Sequence, residues 1–111
     1  MPAAAHTEDV RPQLELDMGP PPSDEALMEA FQNGGEHGFV ELVERYGAKA
    51  LNFAWRLTDD YTVAQDIAQE TFLAVYTRGG TFDTSRKFST WLYRIVGNLC
   101  RMEWRLSLIH I

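Results

Sequence analysis

The sequence predicts an all-α fold, a compact bundle of about four helices behind a disordered N-terminal leader. Three observations carry that expectation. Apolar residues recur at helical spacing through four stretches, Gly-Gly pairs or acidic polar breaks separate those stretches, and all five prolines lie in residues 1–22. No stretch alternates with period two over a useful length, and no repeat of roughly 20–50 residues is present.

The elements follow in chain order. Residues 1–22 combine the prolines with a short Ala run and scattered acids, a composition that buries too little apolar surface to offset ordering. Ser23 stands where an N-cap belongs, with Asp24 and Glu25 in the first turn. This first helix runs to about Asn33 with Leu27, Ala30 and Phe31 on one face, and Gly34-Gly35 stops it. A second helix spans about Glu36–Leu57, with Phe39, Leu42/Val43, Tyr46, Ala50, Phe53/Ala54 and Leu57 at helical spacing and Gly47 inside it. Thr58-Asp59-Asp60 breaks the pattern and supplies a cap for a third helix over about Tyr61–Thr77, which Arg78-Gly79-Gly80 ends. After a loop of about eight residues, a fourth helix covers about Lys87–Arg105. Residues 23–105 thus form one expected domain, and 106–111 an apolar tail that either prolongs the last helix or marks an interrupted frame.

Composition narrows the function classes. A chain of 111 residues with 45% hydrophobic content supports one small core. The single cysteine excludes a disulfide framework and a CxxC site. No apolar run reaches the roughly 18–20 residues of a membrane span, and no signal-peptide pattern is present, so a cytoplasmic domain is expected. His6, His37 and His110 lie far apart without a metal-ligand spacing, Glu41 and Glu44 read as partners of Arg45 and Lys49, and Cys100 reads as a small buried hydrophobe. The expectation is no enzyme, no metal and no cofactor.

The net charge of −6 conceals a division. Residues 1–77 carry 4 Lys/Arg against 14 Asp/Glu, whereas residues 78–111 carry 6 against 2. An acidic body with a basic C-terminal third suggests two surfaces with different partners.

Two helix faces stand out. On the third helix Ala64, Ile67, Ala68, Thr71, Phe72 and Val75 make an ordinary core side, while Asp66, Gln69, Glu70 and Leu73 gather on the opposite side. The residues alone leave two readings of that patch open, a solvated face or a protein interface with an aliphatic anchor. On the fourth helix Phe88, Leu92, Ile95, Leu99 and Met102 point inward with Trp91 at the margin. Lys87, Arg94, Asn98, Arg101 and Arg105 share one outer direction that no acid interrupts. Such a stripe either solubilises the fold and pairs with the acidic body, or contacts phosphates while Asn98 reads a base edge. Phe82, Phe88, Trp91 and Tyr93 interleave with Arg86, Lys87 and Arg94, which suits stacking on unpaired bases. Phe88 and Trp91 are expected to fill the core, which leaves Phe82 and Tyr93 as the exposed aromatics.

The segments FVELVERYGAKALNFAWRLTDD, VAQDIAQETFLAVYTRGGTFD and RKFSTWLYRIVGNLCRMEWR resemble region 2 of the extracytoplasmic-function (group 4) bacterial sigma factors, over about residues 24–105. The resemblance implies that Asp66, Gln69, Glu70 and Leu73 grip the β′ clamp helices of RNA polymerase core. It implies that the segment Phe82–Trp91, including Arg86, opens the promoter −10 element and holds an unpaired non-template base. It also implies that Arg94, Asn98 and Arg101 meet the −10 strand; Lys87 and Arg105 join them by geometry. An anti-sigma factor is a further implied partner. Members of the family continue into a second helical domain that reads the −35 element, whereas this sequence stops at Ile111, so the expectation is either a fragment or truncated product, or a second domain supplied otherwise. The competing expectation is a protein-only helical module, such as a decoy that titrates polymerase core or an anti-sigma regulator.

Overall fold

A computed structural model describes residues 19–109, and four α-helices make up its framework. These are α1 (Asp24–Gln32), α2 (Glu36–Thr58), α3 (Tyr61–Arg78) and α4 (Phe88–Ile109), with a 3₁₀ turn at Gly79–Thr81. The leader expected over 1–22 lies, as far as residue 18, outside the described residues. Residues 106–109 prolong α4.

Local chemistry sets the helix ends. The Ser23 hydroxyl accepts a hydrogen bond from the Ala26 amide at 3.0 Å, and Asp60 Oδ1 accepts from the Val63 amide at 3.1 Å. Asp59 closes α2 in the left-handed conformation, φ 57°, its amide donating to the Trp55 carbonyl at 2.8 Å. The α1–α2 corner is tighter than the sequence suggests. A Cβ on Gly38 would lie 2.2 Å from the Leu27 carbonyl oxygen, so the start of α2 crosses α1 backbone to backbone. Gly47, the glycine inside α2 that periodicity singles out, has open space around it.

Two adjoining clusters form the core. The larger joins Leu27, Met28, Leu42, Val75, Phe82, Phe88, Leu92 and Ile95. The smaller packs Ala50, Ala54 and Ala64 against Ile67, Val96 and Cys100, where small side chains let α2, α3 and α4 approach closely. Thr71 sits among these apolar groups because its hydroxyl donates to the Ile67 carbonyl at 2.8 Å. The expected faces are largely kept, with shifts. Met28 is fully buried, while Ala30 and Phe31 are half-buried. The inward stripe of α4 turns towards the small-residue cluster, so Val96 and Cys100 are buried and Met102 is exposed. Leu57, at the end of α2, is likewise exposed.

Candidate nucleic-acid interface and the acidic ridge

The loop between α3 and α4 is held from below by α1. Gln32 Nε2 donates to the carbonyls of Gly79 at 2.9 Å and Phe82 at 2.8 Å, so one side chain grips both ends of the 3₁₀ turn. Gly79 packs closely here: a Cβ would come within 2.9 Å of the Phe31 ring and 3.2 Å of the Met28 methyl, so a larger residue would have to displace those side chains. Further along, Asp83 Oδ1 accepts from the Ser85 amide (2.9 Å) and hydroxyl (2.7 Å), an Asx turn that fixes the loop tip. Those two bonds hold the Asp83 carboxyl below its ordinary value, and Arg86 at 3.6 Å acts in the same direction. Lys87 stands at the N-cap position of α4 with no side-chain acceptor to offer. Glu25 of α1 supplies one, its Oε2 accepting from the Phe88 amide at 2.7 Å across 63 residues of chain.

Between this loop and the first turns of α4 opens a cleft of about 570 Å³, lined by Arg86, Lys87, Arg94, Trp91 and Phe82 among others. Its aromatic content differs from the sequence expectation. Phe82, expected to be exposed, is only 7% exposed. Its ring lies edge-on to Phe88 (5.9 Å between centroids) and tilted on Trp91 (4.9 Å). Gln32 draws the Phe82 carbonyl inward, and the loop is too short to project the ring again. Trp91, expected at the core margin, is half-buried and lines the cleft, which makes it the stacking surface available to a ligand. Tyr93 is half-buried too and faces α2, edge-on to Phe53 (5.1 Å) and Tyr46 (6.3 Å), away from the loop.

The cationic stripe of α4 is intact. Arg86, Lys87, Arg94, Asn98, Arg101 and Arg105 are all exposed. Among the described residues the ion pairs are Arg45 with Asp24 and Glu41, and Arg86 with Asp83, so Lys87, Arg94, Arg101 and Arg105 pair with no acid. Among the described residues, therefore, the stripe does not neutralise the acidic body. Asn98 Oδ1 accepts a hydrogen bond from Arg101 Nη2, which leaves the NH₂ of the exposed Asn98 available as a donor.

On α3, Asp66, Gln69, Glu70 and Leu73 are exposed together, Leu73 at 62%. An open groove bounds this ridge on each side. Towards α2, Gln69 borders an almost wholly apolar groove of about 440 Å³ formed by Phe39, Val43, Leu51 and Phe72, a feature the sequence reading did not single out. Towards α4, Glu70 and Leu73 face Asn98 and Met102 across a cleft of about 470 Å³. The ridge and the stripe, expected as two surfaces with different partners, thus share a wall. Elsewhere, His37 is exposed, and burial pushes the Cys100 thiol above its ordinary value. Among the described residues no group of His, Cys, Asp and Glu gathers that could hold a metal. No described helix is long and apolar enough to cross a membrane.

This geometry has relatives. The SigW sigma factor of Bacillus subtilis is 41% identical over 68 residues, 61% of this chain and 36% of that protein. The RNA polymerase sigma-H factor of Pseudomonas aeruginosa is 40% identical over 78 residues, 70% of this chain and 40% of that protein. The chain thus spans about two fifths of the length of these relatives. Among solved structures, an engineered region 2 of sigmaE in complex with GTAAAA superposes with a TM-score of 0.73 at 33% identity. The match covers 81% of this chain and 94% of that one. The family description Sigma-70 region 2 matches residues 42–107, from the buried Leu42 through the whole cationic stripe of α4. The chain belongs to the Sigma-70 region 2 family, in its extracytoplasmic-function branch.

Proposed function

We propose that this chain is a promoter-recognition module that binds RNA polymerase core through the α3 ridge and engages the −10 element through α4 and the preceding loop. The observation that carries the reading is the unpaired cationic stripe, continuous at Lys87 and Arg94 with the Trp91 cleft. Its cations contact phosphates, an attraction that weakens with salt. The available NH₂ of Asn98 donates to an acceptor on a base edge. Trp91 offers a face to a base taken out of the stack, offsetting an unstacking cost of a few kcal/mol. No covalent step is involved; the chain lends sequence preference to a polymerase. The solved relative in complex with GTAAAA supports the reading of a DNA-binding module.

On the polymerase side, Leu73 is the anchor and Asp66, Gln69 and Glu70 orient it against the β′ clamp helices, with the apolar groove beside Gln69 extending the contact. An anti-sigma factor would act by covering either surface. We read residues 23–105 as the working domain, acting in the cytoplasm where polymerase is found.

The test is binding of a fluorescent −10 non-template hexanucleotide at low salt. Arg94→Ala and Asn98→Ala should weaken it, and absence of binding by the unaltered chain leaves the protein-only reading. For the ridge, the doubly substituted Asp66→Lys/Glu70→Lys chain should fail to capture a β′ clamp fragment that the unaltered chain retains. Equal capture removes both residues from the interface.

A further inference from the structure

We propose a second nucleic-acid subsite on α2, a notch in which Lys49, Asn52 and Arg56 hold the continuation of the single strand gripped by α4. The inference rests on the DNA reading above and extends it to a surface outside the expected motifs. Lys49, Asn52, Phe53 and Arg56 lie at i, i+3, i+4 and i+7 along α2, on one helix face. With Tyr93 of α4 they enclose a notch of about 290 Å³.

Charge gives the first argument. Among the described residues before Arg78 the cations are Arg45, Lys49 and Arg56. Arg45 is committed to Asp24 at 2.9 Å and Glu41 at 3.3 Å. Lys49 Nζ lies over the Tyr46 ring, 5.4 Å from its centroid, but among the described residues neither Lys49 nor Arg56 pairs with an acid, and no acid lines the notch they flank. A strongly acidic body thus places the two cations that no described acid neutralises at the two ends of one concavity, with an exposed amide between them. That arrangement suits two successive phosphates or a phosphate and a base edge.

The floor gives the second. Phe53 and Tyr93 meet edge-on at 5.1 Å and are both half-buried, so part of each aromatic surface faces the notch. A base or sugar resting there would meet aromatic carbon between two cations, the pattern found in single-strand binding grooves.

Continuity gives the third. Tyr93 directly precedes Arg94, so the notch and the stripe lie on adjacent arcs of the same helix, within its diameter of ~10–12 Å. Between them stands Gly97. A Cβ there would meet nothing closer than Arg101 Nη1 at 4.0 Å, so the helix surface is bare along the crossing. A strand leaving the stripe passes over the Gly97 backbone beside the Arg101 guanidinium. A duplex cannot follow that turn into so small a concavity, which is why the occupant is a single strand.

The experiment compares the unaltered chain with the doubly substituted Lys49→Ala/Arg56→Ala chain on two non-template strands: the −10 hexanucleotide and a strand twice as long. Both side chains are exposed, so the fold is retained. The unaltered chain should bind the longer strand more tightly. In the variant that gain should disappear and the salt slope for the longer strand should fall by about 1.4, at ~0.7 per phosphate contact in single strands. Hexanucleotide affinity should stay within about twofold. An undiminished gain and slope in the variant overturns the subsite, as does a loss confined to duplex DNA. Failure of the unaltered chain to bind even the hexanucleotide overturns the DNA reading instead, so the two failures are distinguishable.

Discussion

Removing the Glu25 carboxylate should melt the start of α4 and with it the recognition loop. Glu25 Oε2 accepts from the Phe88 amide at 2.7 Å in a partly buried position, and Lys87 at the cap position cannot replace it. Losing an N-cap acceptor costs ~0.5–2 kcal/mol, and a hydrogen bond to a charged group is worth ~1.5–3 kcal/mol. These figures describe one interaction twice, so the expected loss for Glu25→Ala is about 1–3 kcal/mol. For a domain of this size, each kcal/mol lowers the melting temperature by ~4–8 °C, which makes the drop roughly 5–20 °C. Glu25→Gln keeps an acceptor and gives up only the charge at the helix N-terminus, ~0.3–1 kcal/mol. The assay is thermal unfolding followed by circular dichroism, paired with hexanucleotide binding well below the transition. The order unaltered, Gln, Ala should hold in both measurements, because the same bond that stabilises α4 sets the angle of Trp91 and Arg94. A Glu25→Ala chain within about 0.5 kcal/mol of the unaltered one would refute the reasoning: α4 would then start unaided.

Three further outcomes follow from the packing. Phe82→Ala should destabilise by ~3–5 kcal/mol in chemical denaturation, as a buried aromatic does, whereas a solvent-exposed stacking residue would leave stability nearly unchanged. Gly38→Ala should cost more than ~1 kcal/mol, because its Cβ would fall 2.2 Å from a backbone carbonyl oxygen that can yield only by opening the α1–α2 corner; Gly47→Ala, with open space, should be neutral or stabilising in the same measurement. Burial first, then the 2.5 Å hydrogen bond it donates to Asp24, pushes the Tyr46 hydroxyl up to about 12. Its folded value exceeds the ordinary value near 10, so this contribution to stability is complete below pH ~10 and is lost as pH rises towards 12. Tyrosinate absorbance should show a late titration that Tyr46→Phe abolishes, while Tyr76, raised by the hydrogen bond it donates to Glu36, keeps its own delayed titration in that variant.

The helix ends were legible because the chemistry that sets them is local. Ser23 and Asp60 cap from three residues away, and Gly34 and Asp59 stop helices at their own positions, with φ 95° and 57°. The core and solvent faces of α3 were legible for the same reason, since one helical period sorts Ala64, Ile67, Thr71 and Val75 from Asp66, Gln69, Glu70 and Leu73. What the sequence concealed depends on partners far along the chain. Gln32 reaches Gly79 and Phe82 across 47 and 50 residues, and no periodicity in either segment records that. Phe82 therefore looked like a free loop aromatic, although α1 had already drawn its backbone inward. The Lys49–Arg56 notch was hidden similarly: i,i+4 spacing invited pairing of α2 cations with α2 acids, which Arg45 alone satisfies.

The shared wall between ridge and stripe couples the two partners. Glu70 and Asn98 line one cleft, so a strand whose base is read by Asn98 carries its phosphate charge within reach of the Glu70 carboxylate in the free chain. At a separation of ~10 Å, about one Debye length, two unit charges in water-like dielectric repel by about 0.4 kcal/mol before screening. That is a factor of about two in affinity, and a drier cleft makes it larger. A polymerase surface that engages Glu70 with a cation or donor removes the repulsion, so DNA should bind more tightly once the ridge is occupied, and by linkage the reverse holds. Glu70→Gln tests this directly. It should raise the affinity of the free chain for the hexanucleotide about twofold, and shrink the further gain on adding β′ clamp fragment. Unchanged affinity would mean that Glu70 and the strand do not sense each other. A full gain on adding clamp in the Gln variant would mean that coupling runs through a rearranged loop rather than through charge across the cleft.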